Sequence, residues 1–143
     1  MFLFRSATTR QSDLALLILR VAAGLTMAAH GWQKVFVYGF SGVAGSFGQM
    51  GVPMADILGP IVAVLELVGG IALALGLFTR IVAVLLAADM LGAVLLVHLP
   101  NGFFAPKGAE FTLLLLGIYI AFSITGAGSI AVDSAIEHRH QLA

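Results

Sequence analysis

The side chains able to do chemistry are few, and they cluster. "AAHGWQK" at residues 28–34 places an imidazole, an indole, an amide and an ammonium within a few positions, at the end of a long apolar run. Farther along stand Glu66, His98 and Glu110, each inside or at the border of another apolar run. Imidazole and carboxylate groups can exchange protons, and His30, Trp32 and Lys34 can donate hydrogen bonds to a carbonyl oxygen. Three chemistries would use such a set. A metal would accept imidazole and carboxylate ligands, but the Glu-x-x-His pattern of di-iron bundles is missing from the apolar runs, and the nearest substitute, Glu137–His138, lies in the tail. No metal site is therefore expected. Haem could take His30 and His98 as axial ligands from two helices, although carboxylates would be unusual neighbours. A quinone needs an apolar slot, donors to its carbonyl oxygens and a group that exchanges protons. His30, Trp32, Lys34 and His98 would then be the cofactor-binding candidates, with Glu66, His30 and Glu110 as the catalytic ones. This last reading needs the fewest assumptions.

The elements that must position these groups are membrane spans. The 143 residues are 60% hydrophobic and only 10% charged, whereas soluble domains are usually about 45–50% apolar and about 25% charged. Apolar runs of roughly 17–25 residues cross a bilayer as helix, and residues 14–36, 57–78, 81–99 and 110–126 supply four of them. The last is barely long enough. The first run is interrupted by Arg20 and is too long for the apolar core of a cleaved signal, so it reads as a retained span. Between the first two lies "YGFSGVAGSFGQMGVP", in which Phe40, Val43, Ala44, Phe47 and Met50 recur at helical spacing. A short interfacial helix fits there. Thr79–Arg80 is the expected turn between spans two and three, and "PNGFFAPKGA" the loop before span four. The expectation is an all-α integral membrane four-helix bundle, one domain over residues 1–143.

Four spans put both termini and the Arg80 turn on one side. Arg5, Arg10, Arg80 and Arg139 fall there, against Lys34 and Lys107 on the other. The positive-inside rule then places both termini in the cytoplasm of a bacterial plasma membrane. Depth counted at 1.5 Å per residue gives Arg20 and Asp89 similar positions, roughly 10 and roughly 13 Å from the inner ends, which predicts a structural ion pair. His30, Glu66 and Glu110 fall at roughly 21–25 Å, with His98 and Lys34 slightly beyond. All four helices thus bring an ionisable group to one outer layer. Glu66 shares its face with Gly59, Ala63, Gly69 and Gly70, and Glu110 with Gly117 and Ala121. Small residues mark helix contact in membranes, so both glutamates are expected to point inward. His98 lies nine positions from Asp89, half a turn away on an ideal helix. Either the helix loosens before Pro100, or His98 stands outside the pocket.

At these residues a family resemblance enters. "LRVAAGLTMAAHGWQK", "FGQMGVP", "LELVGGIALALGLFTR", "VHLPNGFF" and "GAEFTLLLLG", in this order over residues 14–133, resemble the DoxX family. The resemblance implies a small four-helix bacterial membrane protein acting as an oxidoreductase or as a subunit of one, with some relatives linked to quinones. By position it carries over Arg20, His30, Gly31, Lys34, Glu66, Gly69, Gly70, Arg80, His98 and Glu110 as site candidates. The chain has no cysteine, so thiol chemistry would have to come from another protein. It also lacks a glycine-rich nucleotide fingerprint between strand and helix, so a redox role calls for a protein partner that supplies electrons. The competing reading is a non-enzymatic accessory subunit whose buried charges fix helix register. A transporter is disfavoured by size unless the chain forms a homo-oligomer. Zero net charge without a basic stripe argues against nucleic acid.

Overall fold

The computed structural model describes residues 7–141; Arg5, counted above on the basic side, lies outside them. The described chain is helical throughout, with no strand. Helix α1, Thr9–Trp32, opens at a capping box: the Thr8 hydroxyl accepts from the Gln11 N–H, and the Gln11 side chain accepts from the Thr8 N–H. It therefore begins before the apolar run does. The same rod continues through a π-helical turn, Gln33–Tyr38, until Gly39, at φ 69°, redirects the chain into α2, Gly39–Gln49. This is the helix expected between the first two spans. Its Val43 and Ala44 are buried where it folds back onto the next rod.

That rod is α3, Ala55–Val64, a π turn at Leu65–Gly69, and α4, Gly70–Leu75. Gly76 ends it in the left-handed conformation, φ 72°, and its N–H bonds back to the Leu73 carbonyl. The turn is thus Gly76–Phe78, slightly earlier than expected, and Thr79–Arg80 already belongs to α5, Thr79–Gly92. A third π turn, Ala93–His98, and a short 3-10 turn, Leu99–Asn101, complete this rod. After a loop come α6, Glu110–Thr125, and α7, Val132–Gln141.

Three of the continuous rods, Thr9–Gln49, Ala55–Leu75 and Thr79–Asn101, are long and apolar enough to cross a membrane. Helix α6 is apolar but has 16 residues, about 24 Å of helix, short of the roughly 30 Å hydrocarbon core. The whole is an all-α membrane helical bundle. Leu25, Ile57, Ile61, Ile81, Leu114 and Ile124 all face outward, as lipid contact requires. Trp32, Phe36, Tyr38, Phe40, Phe103 and Phe104 are exposed toward the His30 end, where aromatic side chains belong at an interface.

Lipid tails are as apolar as leucine, so close packing rather than water exclusion must hold the rods together. Helix α1 lies directly against α4. A Cβ on Gly24 would stand 2.6 Å from both the Ala74 nitrogen and the Gly70 carbonyl oxygen. Helix α5 packs along α6, while α1 and α6 touch little. Ala23, Met27, Leu73, Ala83, Leu86, Met90, Leu115, Tyr119 and Phe122 form the core between them.

The expected Arg20–Asp89 ion pair does not form. Arg20 donates through Nε to the Ala74 carbonyl at 3.2 Å, and through its two terminal nitrogens to the Ala127 and Ile130 carbonyls, both at 2.9 Å. Side chains on a helix tilt toward its N-terminus, and the long arginine follows that tilt to the inner loop. Equal depth of Cα atoms did not allow for this reach. The same end is tied by Asp13, whose carboxylate accepts from Ser129, and by Asp133, which accepts from the Phe78 and Thr79 N–H groups at the start of α5.

Candidate functional site

A cavity of about 570 Å³ opens in the half of the bundle nearer His30. Its walls are mostly apolar, from Met27, Leu58, Val62, Met90, Leu96 and Leu115 among others, and its polar groups are His30, Lys34, Glu66, Asp89, His98 and Thr112. Ala105, Pro106 and Gly108 of the loop before α6 complete the wall. Such a composition, an apolar slot with a few convergent polar groups, is that of a small-molecule site.

Glu66 and Lys34 form its central ion pair, with Lys34 Nζ 2.5 Å from Glu66 Oε2. Glycine brings them together. Any Cβ on Gly31 would fall inside the backbone of Leu67 and against Glu66, so only glycine lets α1 approach the Glu66 turn this closely. The pair is unevenly covered: the Glu66 side chain is 5% exposed and that of Lys34 20%. Lys34 thus keeps a path to water or headgroups while Glu66 does not.

Each of the three π turns lines this cavity. Lys34 sits in the first, Glu66 in the second and His98 in the third. A π turn carries i→i+5 hydrogen bonds, holds more residues than an α turn, and recurs at functional sites. It resolves the phase problem at His98. Ala93–His98 unwinds the rod, so His98 and Asp89 face the same cavity although an ideal helix would set them on opposite sides. His98 Nδ1 lies 2.9 Å from the Lys107 carbonyl, which can only accept, so this nitrogen carries the proton.

Asp89 is the cavity residue that the ion-pair expectation misassigned. It lies within hydrogen-bond reach of the Glu66 carboxyl group and within electrostatic reach of Lys34, with its Oδ2 buried. Two other candidates stand elsewhere. Trp32 is 56% exposed and stacks on Phe36 with ring centroids 4.2 Å apart, on the outer surface rather than the cavity wall. The Glu110 carboxylate accepts from the Ala105 N–H at 2.7 Å and shapes the loop instead of pointing inward. Gly117, read as its inward-facing companion, is exposed, with nothing within 4 Å of its missing Cβ. His30 is exposed at the cavity mouth, its ring 6.1 Å from that of Phe111. Among the described residues no three histidine or acidic side chains converge to hold a metal ion.

A sequence model of the DoxX family matches residues 15–99, which contain His30, Lys34, Glu66, Asp89 and His98. Among curated relatives, the chain is 36% identical over 121 residues to the "Putative oxidoreductase CatD" of Bacillus subtilis, covering 85% of this chain and 86% of that protein. It is 31% identical over 138 residues to an uncharacterized membrane protein of Mycobacterium tuberculosis, covering 87% and 83%. It is also 31% identical over 124 residues to the inner membrane protein YphA of Escherichia coli, covering 82% and 87%. No solved structure matches.

Proposed function

Because the chain belongs to the DoxX family of membrane proteins, we propose that it is a subunit of a bacterial membrane oxidoreductase whose cavity takes a quinone-like, lipid-soluble redox carrier. One relative bears the name of an oxidoreductase. The observation that carries the reading is the cavity itself: an apolar slot of about 570 Å³ that holds a buried glutamate–lysine pair, a further aspartate and two histidines. A purely structural network would have no need of open space around it.

The side chains fit a quinone head group. Lys34 spends one of its three N–H donors on Glu66 and has others for a carbonyl oxygen. His30 at the mouth supplies a second donor. The carboxyl groups of Glu66 and Asp89 and the imidazoles of His30 and His98 are the cavity's candidates for exchanging protons with the head group. When bound, a quinone would supply the two-electron, two-proton couple, and this chain's residues would orient it and exchange its protons. Electrons come from a protein partner.

Organic extraction of gently purified protein, followed by absorbance spectroscopy, tests the proposal. Co-purified quinone in stoichiometric amount is the expected result. A Soret band would assign the cavity to haem instead. A ligand-free protein that binds no added short-chain quinone would leave the accessory role, with the buried charges fixing helix register.

A further inference from the structure

Lys34, Glu66 and Asp89 come from three different rods and meet in the cavity. Glu66 accepts from Lys34, and the Asp89 side chain is in hydrogen-bond contact with the Glu66 carboxyl group. An ionised carboxylate can only accept, so two of them cannot bond to each other. The contact requires a proton on one. Asp89 Oδ2 is buried, and no N–H or hydroxyl donor reaches it among the described residues. The hydrogen therefore has to come from the carboxyl pair itself.

The charge count leads to the same result. Two carboxylates against one ammonium would leave a net negative charge among mostly apolar walls, where an uncompensated charge is costly. One proton brings the three groups to neutrality. The other titratable groups facing them do not alter this count. Among the described residues Lys34 is the only cation within salt-bridge distance of either carboxyl group. His30 stands at the mouth, and His98 commits its Nδ1 proton to the Lys107 carbonyl. Tyr119 of α6 lies within electrostatic reach of both carboxyl groups, but its hydroxyl donates to the Ala23 carbonyl at 3.3 Å. We propose that the cavity contains a proton-binding site in which Glu66 and Asp89 share one proton beside the Lys34 ammonium. Carboxyl groups that share a proton titrate as a pair rather than as separate residues. Asp89 thus joins Glu66 in one proton-exchanging unit, which water reaches past Lys34, the less covered partner. The site needs no carrier in the cavity, so its failure and that of the quinone-site reading are separate results.

Infrared spectroscopy of the full-length protein in an ester-free detergent tests this. Exposed carboxylates are ionised at about pH 7. A protonated-carboxyl C=O band that persists there and shifts in heavy water marks a proton held by burial and pairing. The wild type should show such a band, with the intensity of a single carboxyl group per chain. Glu66→Gln and Asp89→Asn should each abolish it, because either variant leaves one carboxylate opposite one ammonium. Asp56→Asn, at an exposed aspartate, should leave it unchanged. A wild type without the band overturns the proposal, and that measurement needs no variant to fold. A band that either Glu66→Gln or Asp89→Asn preserves also overturns it, since the proton would then not be shared.

Discussion

Glu66 and Lys34 differ in how much each depends on the other. Glu66 is enclosed, whereas a fifth of the Lys34 side chain remains accessible. Losing one partner of a buried pair typically costs about 3–5 kcal/mol because the other charge is stranded. The cost should therefore fall unequally. Lys34→Met strands a carboxylate that has no route to solvent, and should lower thermal stability in detergent by an amount near that range. Glu66→Gln leaves an ammonium that can extend toward the headgroups, and should cost clearly less. The double variant should be less damaged than the sum of the two, and thermal denaturation of all four proteins measures this directly. Simple additivity would mean that the contact contributes nothing. Glu66 was legible in the sequence because an unpaired mid-span carboxylate demands a partner or a task. The partner could not be named from sequence, since the approach that makes Lys34 available depends on the Gly31 contact. Arg20 and Asp89 show the opposite failure: a count of backbone depth ignores that a long side chain ends several ångströms from its Cα.

The apolar rods followed from hydropathy, since bilayer thickness fixes span length, and Asn101–Gly102 marked the loop after the third, whereas the turns at Gly39 and Gly76 were not read from the sequence. The π turns were not legible. They leave the hydropathy pattern intact and change only the phase of the residues beyond them, which is why His98 seemed to face away from Asp89. Glycine was legible as a class but not by position. Gly31 and Gly117 are both helix glycines, yet a side chain on one would meet a neighbouring backbone and on the other would meet nothing. Gly31→Ala should separate α1 from the Glu66 turn, lower the melting temperature and weaken the Lys34–Glu66 contact. Gly117→Ala should be neutral or mildly stabilising, because alanine favours helix by about 1 kcal/mol in an exposed interior position. Parallel melting curves of the two variants decide the point. Similar destabilisation by both would show that the contact of α1 with the Glu66 turn is not the close one described.

The molecule is polarised end to end. At one end Arg20, Asp13 and Asp133 bind the segments that join the rods; at the other, π turns open a cavity under a loop. Among the described residues, Arg10 and Arg80 stand at the first end, and Lys107 and the Glu66-bound Lys34 at the cavity end. From the positive-inside rule we propose that both termini face the cytoplasm. Reporter fusions at residue 143 and within residues 100–109 should report opposite sides, and agreement between them would contradict the arrangement. The central claim concerns what enters the cavity. Photo-crosslinking of membranes containing the protein with an azido-quinone, followed by mass-spectrometric mapping of labelled peptides, tests it most directly. Label should concentrate in segments 27–34, 58–66 and 88–98, and Glu66→Gln should reduce it while leaving the fold intact. Label spread over lipid-facing positions such as Leu25, Ile81 and Ile124, unchanged in Glu66→Gln, would contradict it.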